Sequence, residues 1–126
     1  MQQLKEGQII TYKKIFTKEE VAYVGKIMGF LGSHHEKPNE KGQYLNQGLL
    51  SAILTNRIGG EYNILMYKMD FQFLEKVYTD EEIVCENKII KIEEKRNKKH
   101  IKIKSELFNE ENKLVLSGIL EGILLE

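Results

Sequence analysis

Tryptophan is absent from this sequence, and cysteine and proline occur once each, as Cys85 and Pro38. A lone cysteine closes no internal disulfide, which points to a reducing compartment. Three histidines and one cysteine offer no ligand spacing, and the adjacent His34 and His35 are poorly placed to point the same way, so neither a metal nor a cofactor is expected. No apolar run approaches the roughly 18 residues needed to span a bilayer. The opening Met1-Gln2-Gln3-Leu4-Lys5-Glu6 has no apolar run behind a basic start, hence no visible signal peptide. The expectation is a soluble, cytoplasmic protein without a membrane partner. Charge of one sign is also missing. The 19 basic and 19 acidic side chains cancel, leaving no net basic footprint for nucleic acid. The one basic cluster, Lys95-Arg96-Asn97-Lys98-Lys99-His100, follows Glu93-Glu94 and reads as a solvated hairpin turn rather than a phosphate site.

What is present suffices for one core. The 126 residues are 41% apolar and contain no repeat or low-complexity linker, so a single domain over 1–126 is expected. Residues 8–14 are β-prone. Thr17-Lys18-Glu19-Glu20 is a capping box, and Val21, Val24, Ile27, Met28 and Leu31 follow at helical spacing, predicting a helix over 17–31 with Gly32 as its stop. Residues 32–44 form a long polar loop, a common place for function. A second helix is expected over 46–60, capped by Asn46 and ended by Gly59. Its middle is apolar nearly all round, so it should be buried, with Leu50, Ile53 and Leu54 in the core. Four strand-like segments complete the chain. In 64–74, Leu65, Tyr67, Met69, Phe71 and Phe73 alternate with polar residues and Met66. Segment 82–93 slips near Asn87-Lys88, suggesting a bulge. In 100–108, Ile101, Ile103 and Leu107 oppose Lys102, Lys104 and Glu106; in 114–125, Val115, Ile119 and Ile123 share a face. Antiparallel strands after one buried helix suggest an α+β fold, a sheet wrapped around one long central helix in the hot-dog manner, although the pattern alone fits other α+β folds.

Three stretches resemble the MaoC-like family, which includes the (R)-specific enoyl-CoA hydratases. Gly7-Gln8 through Phe16-Thr17-Lys18-Glu19-Glu20-Val21 resembles its first strand and helix. Tyr44-Leu45-Asn46-Gln47-Gly48-Leu49-Leu50-Ser51 resembles the start of its central helix. Phe71 to Glu81 resembles its aromatic, Pro-Val, Gly-Asp segment, with Val77 and Asp80 matching and Lys76 and Thr79 in place of the proline and glycine. The hydratases of this family carry Gly-Asp-x-Asn-Pro-x-His after the first helix. Here the segment reads Met28-Gly29-Phe30-Leu31-Gly32-Ser33-His34-His35. With His35 in the histidine place, the aspartate place falls on Phe30; with His34, on Gly29. Neither side chain moves a proton, so the motif is degenerate.

The resemblance implies a hot-dog protein that binds acyl thioesters of coenzyme A or acyl carrier protein, with weakened or lost hydratase activity. His35 and His34 are its catalytic candidates, and Glu36 or Glu40 could stand in for the aspartate. Gly48, Gln47, Asn46 and Leu49 are its substrate-binding candidates, the Gly48 amide polarising a thioester carbonyl. The plainer readings are polar loop histidines, close packing at Gly48, and helix capping by Asn46 and Gln47. Asp80 reads as a turn residue and Cys85 as structural. The alternatives are a hot-dog thioesterase or the non-catalytic subunit of a paired hydratase. The exposed sheet edge such a fold leaves predicts a dimer, a homodimer by default, with hetero-pairing open.

Overall fold

The computed structural model describes residues 3–30 and 32–125; Met1, Gln2, Leu31 and Glu126 lie outside the described residues, among them the Leu31 expected on the first helix. The chain opens with strand β1, Ile9–Ile15, and the fully buried Phe16. Helix α1, Lys18–Met28, starts on the expected capping box. The Glu20 amide donates to the Thr17 hydroxyl (3.1 Å), and the Glu20 carboxylate accepts from the Thr17 amide (2.9 Å). The helix ends earlier than expected. Gly29, not Gly32, is the stop: it turns left-handed (φ 86°), and its N–H reaches the carbonyls of Gly25 and Lys26. Only the start of the apolar stripe is covered. Val21 is buried and Val24 packs on the core, whereas Ile27 and Met28 are exposed.

The central helix runs as α2, Gly48–Ile53, a 3-10 turn over Leu54–Asn56, and α3, Arg57–Glu61. Three expectations about it need correction. Asn46 is not its cap, because the Asn46 amide donates to the Ser51 hydroxyl (2.9 Å) and Gln47 takes the cap position without a side-chain bond. Gly59 does not end it; a Cβ there would run into the Asn56 side-chain oxygen and lie 3.3 Å from the Ile64 carbonyl, so this glycine serves close packing. Nor is the helix buried all round. Leu50, Ala52, Leu54 and Ile58 face the core, but Leu49 and Ile53, one turn apart, are 68% and 62% exposed. A helix lying on one sheet face buries only the side turned toward that face.

The remaining strands are β2, Ile64–Phe73, β3, Glu82–Lys95, β4, Lys98–Phe108, and β5, Leu114–Leu124. With β1 they form one antiparallel sheet in the order β1-β3-β4-β5-β2, so β1 and β2 are its edges. Ile83, Cys85, Ile89, Ile101, Ile103, Leu107, Leu116 and Leu120 build the buried core. The β3–β4 hairpin turns through Arg96 and Asn97, both at positive φ (52° and 64°), so the basic cluster is the hairpin turn that was expected. The β3 bulge falls at Ile90, slightly beyond Asn87-Lys88.

A second bulge, at Tyr67, corrects the face assigned to β2. Residues paired across antiparallel strands share a face. Met66 pairs with Gly122, but after the bulge Met69 pairs with Leu120, Phe71 with Gly118 and Phe73 with Leu116. These four lie on the helix side, while Leu65, paired with Ile123, lies on the other. The skipped residue reverses the alternation. Among the described residues no helix is long and apolar enough to cross a membrane.

Candidate functional site

Three loop segments meet at the start of the central helix. Residues 44–46 zip onto 77–79: Leu45 bridges Tyr78, the Asn46 amide donates to the Val77 carbonyl (2.8 Å), and the Tyr44 amide to the Thr79 hydroxyl (2.8 Å). The Leu74 and Glu75 amides both donate to the Val115 carbonyl (2.9 and 3.2 Å), tying the end of β2 to β5. The third segment is a 3-10 turn, Ser33–His35, which docks through its histidine.

His35 Nδ1 lies 2.7 Å from the Leu45 carbonyl oxygen. A carbonyl only accepts, so Nδ1 donates, and in the neutral tautomer that this bond selects the free lone pair is on Nε2. The His34 ring rests tilted against His35 at 4.0 Å between centroids. Gly32 lets it fold back, since a Cβ there would lie 2.6 Å from His34 Cε1.

These segments border an open cavity of about 490 Å³ lined by His34, His35, Leu45, Asn46, Gly48, Ser51, Phe73, Leu74, Glu75, Lys76, Val77, Val115 and Leu116. Four of the residues singled out in the sequence, His34, His35, Asn46 and Gly48, therefore share one space. A Cβ at Gly48 would lie 2.8 Å from the Phe73 ring, so the glycine admits the aromatic to the helix start. The Ser51 hydroxyl accepts from the Asn46 amide and donates to the Gln47 carbonyl (3.3 Å).

Two candidates do not line the cavity. The Leu49 side chain turns outward, and Gln47 is buried with neither side-chain amide atom partnered, nor is the Asn46 Oδ1. A desolvated amide without a partner costs about 1–3 kcal/mol, and such cost is carried where function or trapped water asks for it. The loop carboxylates are also misplaced for the role considered. Glu36 lines no part of the cavity, and Glu40 lines a separate polar cleft next to it, which shares Glu75 and Lys76. Sequence reasoning missed Ser51, Phe73, Glu75 and Lys76. Ser51 could have been found, one helical turn beyond Gln47. Phe73 arrives by pairing with Leu116 across the sheet, and Glu75 by the bond of its amide to the Val115 carbonyl, contacts that no local pattern carries.

Cys85 stays apart, buried beneath the helix with its sulfur 3.4 Å from the Ser105 hydroxyl. Burial pushes its thiol up to about 11, the Ser105 hydrogen bond only partly offsetting this, so it is a protonated core residue at neutral pH. Asp80 is a turn residue at φ 64°, its amide bonded to the Phe16 carbonyl. Among the described residues, no group of three or more His, Cys, Asp or Glu side chains is placed to hold a metal ion.

No protein-family model matches the chain, and no curated protein matches it significantly. Solved structures do. The (R)-hydratase from A. caviae involved in PHA biosynthesis superposes with a TM-score of 0.83 at 17% identity, over 99% of this chain and 100% of that one. The C-terminally truncated HadBC (3R-hydroxyacyl-ACP dehydratase) complex from Mycobacterium tuberculosis gives 0.74 at 14% identity, over 94% and 96%. A thioesterase superfamily member from Thermus thermophilus gives 0.68 at 13%, over 99% and 86%. At such identities the likeness is one of architecture, and the antiparallel sheet carrying a central helix is the hot-dog fold.

Proposed function

We propose that the cavity holds an acyl thioester, of coenzyme A or acyl carrier protein, and that the chain is a relative of the MaoC-like hydratases and dehydratases. The observation that carries this reading is the make-up of the cavity wall. Leu45, Phe73, Leu74, Val77, Val115 and Leu116 offer apolar surface to an acyl chain, while His35, Asn46, Ser51 and the Gly48 backbone supply polar groups. The Gly48 amide stands at the helix start, where the first N–H groups have no partner within the helix, and it can polarise a thioester carbonyl.

The chemistry of hydration needs a proton taken from water and a proton delivered to the α-carbon. The aspartate place of the family motif does not supply this. Gly29 is the left-handed stop of α1, Phe30 is 80% exposed, and neither lines the cavity. Hydratase activity is therefore weak unless another carboxylate acts. The same gap favours a second reading, a binding subunit whose catalytic groups come from a different partner chain.

A homodimer belongs to this proposal, supported by the unpaired outer edge of β2 and by the exposed apolar side chains of Leu49 and Ile53 on the helix and Met69 and Phe73 on that strand. So does a cytoplasmic location, on the strength of the lone cysteine.

An assay panel tests the function: binding of saturated thioesters, hydration of crotonyl-type thioesters, and hydrolysis of saturated ones. Binding with slow hydration is expected. Gly48→Val should weaken binding by about tenfold or more, near 1.4 kcal/mol, because its side chain crowds both the carbonyl and the Phe73 ring. Absence of thioester binding sinks the proposal, and hydrolysis without hydration moves it to the thioesterase alternative.

A further inference from the structure

We propose that Glu75, in the segment joining β2 to β3, is the carboxylate that completes the acid–base site with His35. This inference rests on the thioester reading above and assigns the chemistry of that same cavity.

His35 by itself leaves hydration one proton-handling group short. Its Nδ1 proton is held by the Leu45 carbonyl, so one imidazole nitrogen is left for the reaction. A second proton-handling group must come from elsewhere in the cavity wall. Among the described residues, Glu75 is the single acidic residue lining that wall. Its backbone is anchored from one side, through its amide and that of Leu74 on the Val115 carbonyl. Two residues on, Val77 receives the Asn46 amide, and Leu45, next to Asn46, holds His35. A chain of three backbone-anchored contacts therefore holds the histidine and the Glu75 backbone in one frame, and the exposed Glu75 side chain is free to turn to the cavity. Glu75 also has no competing engagement: among the described residues its carboxylate makes no ion pair and no side-chain hydrogen bond. Many other acidic side chains are occupied. Glu20 is bound to Lys14, Glu93 to Lys91, and Glu6, Glu81 and Glu110 to backbone amides.

The step balances with water as the only co-reactant. His35 Nε2 accepts a hydrogen bond from one hydrogen of the water and orients it. The Glu75 carboxylate takes the other hydrogen as a proton while the water oxygen bonds to C3 of the enoyl thioester. The C2–C3 π electrons move to C2 and the thioester carbonyl, toward the Gly48 amide. The Glu75 carboxyl then returns its proton to C2, the new C–H bond forms, and the site is restored with a 3-hydroxyacyl thioester as product.

Hydration of crotonyl-coenzyme A by the full chain, followed as loss of the conjugated enoyl absorbance, tests this. Wild type should hydrate measurably. Glu75→Gln should lower kcat by about 100-fold or more, the scale of one acid–base group, with an unchanged dissociation constant for butyryl-coenzyme A and an unchanged melting temperature. Glu36→Gln and Glu40→Gln should hydrate like wild type. Glu75→Asp should retain more activity than Glu75→Gln. Wild-type turnover by Glu75→Gln overturns the inference, as does a wild type that binds butyryl-coenzyme A but hydrates nothing. A wild type that neither binds nor hydrates removes the thioester reading as well, which separates the two failures.

Discussion

At the residue scale, Thr17 and Glu20 show how a local signal becomes a stabilising contact. Each satisfies the other's backbone amide, and Lys14 adds an ammonium 2.6 Å from the Glu20 carboxylate. Burial pushes the Glu20 carboxyl up, but the Lys14 and Thr17 bonds outweigh it and hold the group below its usual range. A depressed folded-state value stabilises above the unfolded value, and the contribution fades as pH falls through the folded one. The pair is more than a third exposed, so solvent screening keeps its share small. Thr17→Ala should cost about 1 kcal/mol at neutral pH by denaturant unfolding. The stability gap between wild type and Glu20→Gln should narrow when the same titration is run in acid. An equal gap at both pH values would mean that the carboxylate charge contributes nothing.

At the element scale, the two helices divide differently from their apolar patterns. Each has an apolar stripe wider than the surface it covers, so the pattern overstates burial at Ile27 and Met28 in α1 and at Leu49 and Ile53 in α2. Leu54, only 4% exposed, is the test of the covered side. Leu54→Ala should cost about 2–5 kcal/mol through lost transfer energy and a cavity, measured by chemical unfolding. Ile53→Ala should cost far less at dilutions where the chain is monomeric. Equal losses would place Ile53 in the core of the single chain. The β2 strand carries the parallel lesson for sheets: one bulged residue, Tyr67, moves Leu65 to the face opposite Met69, Phe71 and Phe73. Alternation in sequence counts residues, whereas the pleat counts paired residues.

At the scale of the whole molecule, the open edge is the feature to test. The β2 strand has a partner, β5, on one side only, and Met69 and Phe73 on β2 and Leu49 and Ile53 on the central helix are exposed apolar side chains. Light scattering at micromolar concentration should give the mass of a dimer, and Ile53→Glu together with Met69→Glu should return it to a monomer with its fold intact by circular dichroism. A wild-type monomer across that range would count against the paired assembly.

The sequence by itself determined the strands, the capped first helix, the position of the central helix and the basic hairpin turn. These rest on short-range physics: capping bonds span three residues, strand alternation spans two, and an Arg96-Asn97 turn needs only its own backbone. His34, His35, Asn46 and Gly48 came instead from the resemblance to the MaoC-like motifs; read locally, they are loop histidines, a cap and a packing glycine. Tertiary structure alone decided which candidates share a space. Gln47 and Leu49 flank Gly48 in the chain, yet the helix turns both away from the cavity, while Glu75 and Phe73 reach it from a strand end pinned to β5. Sheet register and the docking of His35 on Leu45 are contacts between residues distant in sequence, and their free energy depends on geometry that no local pattern encodes.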